Sequence, residues 1–293
     1  MMKWIKLSFR VCVVLCLIAL LAQCGSSDTS IRVMTFNIRF DNPADGANAW
    51  QNRNDHVVSM IRFHKADIAG LQEALYGQID FLTSRLTEFA WIGVGRDDGD
   101  RAGEYSPIFY RTDRFLLLEH GTFWCSETPD QPGLGWDAAC NRIVTYGKFK
   151  ELDSRKNFYV FNTHFDHIGE QARLNSAKLL LRKIAEIAGN HPVIVTGDFN
   201  ADAESEVYKL LTSENGIAEG DQLYNSEQLA TFPHHGPEGT FTGFDTRVEP
   251  KKPIDFIFIR NKENVLYHGT LSDRFEGLYP SDHMPVLAEV MLE

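Results

Sequence analysis

The sequence predicts an α/β fold in which residues 31–293 form one large domain. Strand-like apolar runs recur along the whole of this segment, and stretches with helical periodicity interrupt them. Neither a low-complexity linker, nor a block of like charges, nor a short repeat divides it. A single fold that combines strands with helices accounts for all three observations.

The predicted strands are short runs rich in apolar, β-branched and aromatic residues. They lie at residues 31–36, 68–71, 107–110, 158–161, 193–195 and 254–259. Between the last two, residues 231–253 are rich in Gly, Pro and His and predict a long surface loop. Long loops of this kind often carry function.

Two stretches show the period of an amphipathic helix. Asn54 is the expected N-cap of the first, and the residues that follow it at helical spacing are Val57, Val58, Ile61 and Arg62. The second covers residues 171–187 and brings four apolar residues near one face, namely Leu174, Leu181, Ile184 and Ala188.

The N-terminal 24 residues place basic side chains before an apolar run at 11–22, which is shorter than the ~20 residues that a membrane-spanning helix needs. The run ends in Leu21-Ala22-Gln23-Cys24 and resembles a bacterial lipoprotein signal with Cys24 as the lipidated residue. Residues 25–30 then form a polar tether. We expect a lipid-anchored protein of the bacterial cell envelope, on the periplasmic or surface side. An uncleaved anchor, or secretion after cleavage without lipidation, is the alternative.

The charge argues against a protein that grips long nucleic acids. The formal net charge is −11 at pH 7, and loss of residues 1–24, which carry three positive charges and no negative one, leaves about −14. Proteins that bind long polyanions show a basic stripe, whereas Lys and Arg are scattered here. A small phosphorylated substrate stays compatible, because it needs only a local positive pocket or a metal ion.

Cys125 and Cys140 are the two cysteines beyond the N-terminal segment. An oxidising compartment permits a disulfide between them. Sequence separation does not show whether their Cα atoms approach to the ~5.5 Å that a disulfide needs, so two buried free thiols are the alternative.

The segment 197–200, Gly-Asp-Phe-Asn, follows a strand that is apolar throughout. Side chains alternate along an extended chain, so Asp198 and Asn200 are expected to point the same way while Phe199 turns into the core. A rigid strand end would then present two polar groups to one ligand. An Asx-turn that closes the strand explains the same residues equally well.

Polar residues also end or flank the other predicted strands. They include Asn37, Gln72 and Glu73, the Asn162-Thr163-His164 run, Asp255, and the Ser281-Asp282-His283 run. Strands that lie side by side in packed sheets would bring these groups together. The sequence therefore predicts one polar site built from many strand ends.

These motifs occur in an order that resembles the endonuclease/exonuclease/phosphatase superfamily, also called the DNase I-like fold. The matching motifs are Thr35-Phe36-Asn37, Leu71-Gln72-Glu73, Asn162-Thr163-His164, Gly197-Asp198-Phe199-Asn200, Ile254-Asp255-Phe256 and Ser281-Asp282-His283. The resemblance implies a four-layer sandwich of two mainly antiparallel sheets with helices on the outer faces. It also implies metal-dependent hydrolysis of a phosphoester by an activated water.

The resemblance assigns Glu73 as the principal metal carboxylate, with Asp282 as a second carboxylate and Asn37 as a neutral ligand or orienting group. Hard carboxylate oxygens suit Mg²⁺, which keeps several waters and is often held by one or two carboxylates. Mn²⁺ is the alternative ion. In this scheme Asp198 activates the water.

Four further residues complete the implied catalytic set. Asn200 is expected to donate to a phosphoryl oxygen, and His164 to stabilise the charge that develops there. His283 pairs with Asp255, which favours the protonated imidazole, and the pair either holds phosphate or assists proton transfer.

Arg142, which opens a strand at 143–146, is expected near the substrate phosphate, and Asp166 and His167 near the pocket wall. A solvated arginine at a strand end is the alternative. The adjacent His234 and His235 are a weak metal signal, because no third ligand lies close in sequence. Three tryptophans offer stacking surfaces or belong to the core, and these are Trp50, Trp124 and Trp136.

We predict a metal-dependent phosphoesterase that acts on nucleotides, nucleic-acid fragments or phosphorylated small molecules. One alternative is a deadenylase-like 3′-5′ exoribonuclease or another nuclease, since the family's core motifs fix the chemistry and leave the substrate open. The other is a catalytically silent lipoprotein that binds a phosphorylated ligand. We expect a monomer that meets the membrane only through its lipid.

Overall fold

The computed structural model describes residues 30–213, 222–260 and 264–292. The predicted signal segment, Cys24 and nearly all of the predicted tether lie outside these residues. None of the helices in the described ranges combines the length and the apolar character needed to cross a membrane.

Twelve strands form two six-stranded sheets. The first sheet has the order β11-β12-β1-β2-β4-β3. Its strands are β1 (Ser30–Asn37), β2 (Ile68–Gln72), β3 (Phe89–Ile92), β4 (Ile108–Arg111), β11 (Val265–Thr270) and β12 (Val286–Met291). The second sheet has the order β5-β6-β7-β8-β10-β9. Its strands are β5 (Phe115–Trp124), β6 (Ile143–Glu151), β7 (Asn157–His164), β8 (Val193–Asp198), β9 (Leu223–Asn225) and β10 (Asp255–Arg260).

Most neighbouring strands are antiparallel, and the two parallel pairs are β1 with β2 and β7 with β8. The helices are α1 (Trp50–Phe63), α2 (Tyr76–Arg85), α3 (Glu170–Ala188), α4 (Glu206–Thr212) and α5 (Ser226–Leu229). A 3₁₀ helix, Pro43–Asn48, precedes α1. The predicted α/β sandwich with two mainly antiparallel sheets is confirmed.

Three apolar cores hold the layers together. Side chains of both sheets, such as Val33 and Ile194, fill the space between the sheets. A second core joins the first sheet to α1 and α2, and a third joins the second sheet to α3 and α4. Burial of apolar surface stabilises each interface by ~25 cal/mol per Å².

A buried polar bridge links the sheets within the inner core. Gln72 Nε2 donates to Asn162 Oδ1 at 2.7 Å, and Asn162 Nδ2 donates to the carbonyl oxygen of Leu71 at 2.7 Å. Gly70 is required beside this bridge, because an added Cβ would lie 2.1 Å from Thr196 Oγ1. Asn162, predicted as part of a site motif, therefore fixes the two sheets against each other.

The predicted start of α1 is wrong. Asn54 lies within the helix, which begins at Trp50 and has Ala49 at its N-cap position. Trp50 belongs to the buried face and packs edge-on against Phe81, with ring centroids 5.9 Å apart. Packing of this side chain extends the helix one turn beyond the position that its capping residue suggested.

The second helix matches its prediction within one residue at each end, since it covers Glu170–Ala188. Leu181, Ile184 and Ala188 are buried as expected, and Leu174 is half-buried. Residues 231–253 form no named helix or strand, in agreement with the predicted loop. Part of this loop reaches the site described below.

Candidate active site

The site forms where strand ends of both sheets meet. Asn37 ends β1, His164 ends β7 and Asp198 ends β8. Asp255 starts β10, which runs antiparallel to β8 and therefore begins at the same edge. Asp198 pairs in register with His164 on one side and with Asp255 on the other. The sheet itself places these three side chains next to one another.

Asp198 lies at the centre of the site and is 1% exposed. Its Oδ2 accepts a hydrogen bond from Asn37 Nδ2 at 2.9 Å and lies 3.4 Å from His164 Nε2 and 3.7 Å from His283 Nε2. Burial and then the neighbouring Asp255 carboxylate raise the pKa of Asp198 to about 7. A carboxylate with this pKa is suited to accept a proton near neutral pH.

The other oxygen of Asp198 closes a turn. The backbone N–H of Asn200 donates to Asp198 Oδ1 at 2.9 Å, and Asn200 has a φ of 48°. The Asx-turn that the sequence offered as an alternative is thus present. It leaves Oδ2 facing the site, so the turn and the ligand-facing interpretation are compatible. Phe199 is 1% exposed and packs in the core, as predicted.

His283 and Asp255 form a buried pair, in which His283 Nδ1 lies 2.8 Å from Asp255 Oδ2. Burial alone would lower the pKa of His283, but the carboxylates of Asp255 and Asp198 outweigh it and raise the pKa to about 10. The imidazolium therefore persists at neutral pH and keeps Nε2–H as a donor near Asp198. Phe241 covers His283, with ring centroids 5.0 Å apart.

His164 has the opposite character. It is 6% exposed, and burial together with the positive charge of Arg142 holds its pKa well below the ordinary value. Its Nε2 lies 3.1 Å from Asn200 Nδ2, which also donates to the carbonyl oxygen of Phe165 at 3.0 Å. The site thus combines one charged and one neutral imidazole, on opposite sides of Asp198.

Glu73 and Asp282 supply carboxylates on the other side of Asn37. Asn37 Nδ2 donates to Glu73 Oε1 at 3.1 Å, while Asn37 Oδ1 accepts from the backbone N–H of Arg39 at 3.0 Å. Arg39 lies between the two carboxylates, 3.8 Å from Glu73 Oε2 and 3.9 Å from Asp282 Oδ2. Asn37 therefore orients Glu73 with its amide group, and its oxygen is engaged by the backbone.

The donor set of Glu73 and Asp282 fits a hard divalent cation. Both side chains line the same cleft. Glu73 Oε1 accepts from Asn37 and Oε2 from the backbone N–H of Phe40, and each carboxylate oxygen has a second lone pair that a cation could use. Burial, with Glu73 nearby, raises the pKa of Asp282, and a bound cation would relieve this repulsion. Two carboxylates with water and substrate oxygens are a common Mg²⁺ environment.

Arg53 holds the backbone segments that carry these ligands. Its guanidinium donates to the carbonyl oxygens of Ile38, Arg39 and Pro280, at 2.5, 2.8 and 3.2 Å. Burial lowers the pKa of Arg53 to about 10, so the side chain stays charged at neutral pH. Because Arg53 belongs to α1, it connects this helix to the two chain segments that carry site residues, at Ile38 and Arg39 and at Pro280.

Arg142 and His167 line a second wall of the cleft, and Asp166 lies behind Arg142 without lining the cleft. Both Arg142 and Asp166 are buried. Arg142 Nε lies 3.5 Å from Asp166 Oδ2, and Arg142 Nη2 lies 3.0 Å from His167 Nδ1. Burial opposes ionisation of Asp166, but the backbone N–H groups of Gly169, Ile168 and Ala139 overcome it and lower the pKa to about 2. The alternative of a solvated arginine is wrong. Asp166 fixes Arg142, and Arg142 faces the cleft.

The cleft that these groups line has a volume of about 350 Å³. Several lining residues were not singled out from the sequence, namely Arg39, Phe40, Arg96, Glu104 and Phe241. Cys140 and Ile254 also line the cleft, although the sequence suggested no site role for either side chain. Arg96 Nη1 donates to Glu104 Oε2 at 2.7 Å, which places a largely buried ion pair on the wall. Arg96 and Glu104 flank residues 97–103, which contain Gly99 and Gly103, and no motif marked this segment as part of the site.

Other expected candidates lie elsewhere. Trp50 and Trp124 are buried, and neither they nor Trp136 line the cleft. Cys125 and Cys140 are both free, so a disulfide between them is not formed. The alternative of two buried free thiols holds for Cys125, whereas the Cys140 thiol is only half-buried. Burial raises the pKa of Cys125 to about 12, which leaves the thiol protonated.

The chain matches the family model described as "Endonuclease/Exonuclease/phosphatase family" over residues 34–283. It is 43% identical to a solved endonuclease/exonuclease/phosphatase from Bacteroides vulgatus, with coverage of 90% of this chain and 100% of that one and a TM-score of 0.84. A mannosyl-6-phosphatase from Bacteroides thetaiotaomicron is 38% identical, with coverage of 89% and 100% and a TM-score of 0.83.

Curated relatives are more distant. The Ccr4 3′-5′-exoribonuclease subunit of the CCR4-Not complex from Mycosarcoma maydis is 23% identical over 90% of this chain and 51% of that protein. Alignments with three other curated relatives cover 60%, 44% and 48% of their lengths. The chain therefore spans about half the length of the curated relatives it matches.

Proposed function

We propose that this chain, which belongs to the endonuclease/exonuclease/phosphatase family, is a metal-dependent phosphomonoesterase of small phosphorylated molecules, with sugar phosphates as the first substrate class. Family membership supports hydrolysis of phosphoester bonds, with a divalent metal ion as the general cofactor. The choice of Mg²⁺, of a monoester and of a sugar goes beyond family membership and is part of the proposal.

One observation carries the substrate class. The catalytic groups lie in a cleft of about 350 Å³, and its wall carries the Arg96–Glu104 ion pair. Burial raises the pKa of Glu104, so this group gains from a hydroxyl that donates a hydrogen bond to it. Charged donors and acceptors on a cleft wall suit the several hydroxyl groups of a sugar.

The comparison with the mannosyl-6-phosphatase supports the same class, because the alignment covers all of that chain. A long polyanion is disfavoured by the net charge of −11. Short nucleic acids and nucleotides remain a competing class that the assay below separates. The expected envelope location, with a lipid at Cys24, is kept as part of the proposal.

Asp198 is proposed as the general base. Its Oδ2 faces the site while Oδ1 is fixed in the Asx-turn, so the carboxylate holds one orientation as it takes a proton from water. A pKa of about 7 matches proton transfer near neutral pH. Asn37 donates to the same Oδ2 and restrains it from the side of Glu73.

Three groups are proposed to hold the phosphoryl group. Protonated His283 offers Nε2–H, and Asn200 offers its amide group next to His164. Arg142 adds a charge on the second wall, and its Nη1 is a buried donor for which the described residues supply no partner. Donors fixed in advance stabilise developing charge without reorganisation.

Glu73 and Asp282 would hold the divalent metal, with Asn37 orienting Glu73. When bound, such an ion supplies Lewis-acid stabilisation of a phosphoryl oxygen. Arg39 lies beside both carboxylates and places a positive charge 3.8 Å from Glu73 Oε2 and 3.9 Å from Asp282 Oδ2.

The test is a substrate panel with Mg²⁺ that contains hexose 6-phosphates, nucleoside monophosphates, a generic phosphodiester, and short RNA and DNA. We expect kcat/KM to be highest for a hexose phosphate. Glu104→Gln should raise KM for that substrate and leave a generic aryl phosphate unaffected, because the aryl group makes no use of the ion pair. Preference for the diester or for RNA would overturn the proposed class. No turnover on any member would favour a silent binding protein.

A further inference from the structure

A second group of possible metal ligands lies outside the cleft. His234, His268 and Glu227 each place one ligand atom within 4.8 Å of the other two. None of the three lines the catalytic cleft. His234 and its neighbour His235 drew attention in the sequence only as a weak pair, because the other ligands lie far away along the chain.

The three residues come from different parts of the fold. His268 belongs to β11, the edge strand of the first sheet, and Glu227 to α5, which directly follows β9, the edge strand of the second. His234 lies in the long loop between them. A ligand shared by this cluster would therefore join the edges of both sheets.

The tautomer of His234 follows from its partner. His234 Nε2 lies 3.0 Å from the carbonyl oxygen of Pro237. A carbonyl only accepts, so Nε2 must carry a hydrogen, and Nδ1 is the nitrogen that can offer a lone pair to a metal ion. A backbone carbonyl that fixes the far nitrogen is the usual arrangement behind a metal-binding histidine.

His268 presents its own Nδ1 to the same point. Without a metal ion, His268 Nδ1–H donates to His234 Nδ1, and metal binding requires this hydrogen to move to His268 Nε2. The two Nδ1 atoms are 2.9 Å apart, and His268 is 6% exposed. Burial and then the proximity of His234 lower the pKa of His268 to about 3, so this imidazole is neutral. Glu227 is the exposed member, and its Oε1 lies 4.0 Å from His234 Nδ1.

We propose that His234, His268 and Glu227 form a second metal site, which binds a divalent transition-metal ion with Zn²⁺ as the first choice. Two imidazoles and one carboxylate are a known Zn²⁺ ligand set, and a water completes the four positions. Tetrahedral Zn²⁺ with bonds of ~2.0–2.1 Å holds its ligand atoms roughly 3.4 Å apart. The two Nδ1 atoms are 2.9 Å apart and would need to separate by about 0.5 Å. Glu227 Oε1 lies 4.0 Å from His234 Nδ1 and would need to approach it by about 0.6 Å.

The site has a structural role in this proposal. The bound ion ties the start of the long loop to β11 and α5, and the same loop continues to Thr240 and Phe241. Thr240 Oγ1 accepts from the backbone N–H of Asp255 at 3.3 Å, and Phe241 packs on His283. Zinc should therefore stabilise the fold and the loop, while the chemistry continues to depend on the cleft.

The experiment measures zinc bound to the purified full chain after dialysis against Zn²⁺ with excess Mg²⁺, which occupies hard oxygen sites. We expect one equivalent of zinc per chain in the wild type. His234→Gln and His268→Gln should bind at least 10- to 100-fold more weakly, the loss found even when an outer-shell partner is removed. His235→Gln is the matched control, because this exposed neighbour is outside the cluster, and it should keep its zinc.

A second readout separates the two sites and covers a variant that fails to fold. Zinc should raise the thermal unfolding midpoint of the wild type and of Glu73→Gln, and leave that of His234→Gln unchanged. His234 is half-buried, so its variant is expected to fold even if the buried His268→Gln does not. Zinc lost in Glu73→Gln but kept in His234→Gln would overturn the proposal. So would the absence of bound zinc, which would leave a plain hydrogen bond between the two imidazoles.

Discussion

The substitution Asp255→Asn isolates the charge of the buried pair from its shape. Asn keeps the size of the side chain and can still accept from His283 Nδ1–H, which lies 2.8 Å from Asp255 Oδ2. The substitution removes the charge and weakens the hydrogen bond. In the wild type, the charge of Asp255 and its hydrogen bond both raise the pKa of His283. The variant therefore tests whether the reaction requires the protonated imidazole of His283.

The magnitude follows from the pKa. A rise from 6.5 to about 10 corresponds to roughly 5 kcal/mol of net stabilisation of the imidazolium, after burial has opposed it. Loss of about half of this would move the alkaline limb of the pH–rate profile down by about two pH units. The limb then lies near pH 8, so loss of the imidazolium should lower the rate about twofold at pH 8 and roughly 50-fold at pH 10.

The sign of the stability effect is fixed by the same shift. Because the pKa of His283 is raised in the folded state, its contribution to the free energy of unfolding is full below about pH 6.5 and disappears as the pH rises through about 10. Removing one partner of a buried pair costs about 3–5 kcal/mol. Urea unfolding at pH 6 and pH 10 should show this loss mainly at pH 6.

The assay is kcat against pH from 5 to 10.5 for the wild type, Asp255→Asn and a control. Asp67→Asn is the matched control, because Asp67 is 4% exposed and accepts from Arg114 Nη1 at 2.7 Å, far from the cleft. It should lose stability and keep the wild-type profile. A folded Asp255→Asn with an unmoved alkaline limb would refute the requirement for protonated His283.

Three further predictions concern other parts of the site. Glu73→Gln should raise at least tenfold the Mg²⁺ concentration that gives half-maximal activity, measured by titration. Asp198→Asn should bind Mg²⁺ almost normally and lose turnover. Equal losses of Mg²⁺ affinity in the two variants would contradict this division of roles. Arg142→Gln should raise KM for the phosphate substrate more than it lowers kcat in steady-state kinetics, and an unchanged KM would remove Arg142 from the phosphate site. Asp166→Asn should cost about 2 kcal/mol of unfolding free energy at pH 7, because the pKa of Asp166 is about 2 when folded. That contribution is present above about pH 3.8 and lost as the pH falls through about 2, so acid unfolding of the two proteins should converge there.

Strand ends were predictable because apolar runs and the polar residues after them are local signals. Asp198 and His164 end their strands, and the parallel register of β7 and β8 puts them side by side. The resemblance added the metal-binding roles of Asn37, Glu73 and Asp282, and the structure brings these residues together at one cleft or its floor. Whether each acts as assigned stays a prediction.

What escaped prediction depends on packing between distant segments. Nothing local marks Arg53 as the residue that fixes the carbonyl groups of Ile38 and Pro280, because the contact forms only when α1 packs beside the first sheet. The Arg96–Glu104 pair was missed for the same reason. The prediction of Asn54 as the N-cap was wrong because burial of Trp50 outweighed the preference of Asn for the N-cap position.

The ambiguity at Gly197-Asp198-Phe199-Asn200 disappears in the structure. The sequence offered a turn or a ligand-facing pair as competing explanations, yet one carboxylate oxygen of Asp198 serves each purpose. Residue types fixed the donors and acceptors that were available. Only the three-dimensional structure shows that Asp198 Oδ1 accepts from the backbone while Oδ2 faces the cleft.

The most direct test of the account is release of inorganic phosphate from a hexose 6-phosphate at saturating Mg²⁺, compared between the wild type and Asp198→Asn. We predict steady, chelator-sensitive release by the wild type and a rate lower by about 10²–10⁴ in the variant, with the unfolding midpoint and the Mg²⁺ titration nearly unchanged. Equal rates in the two proteins would contradict the central claim that Asp198 activates the attacking water.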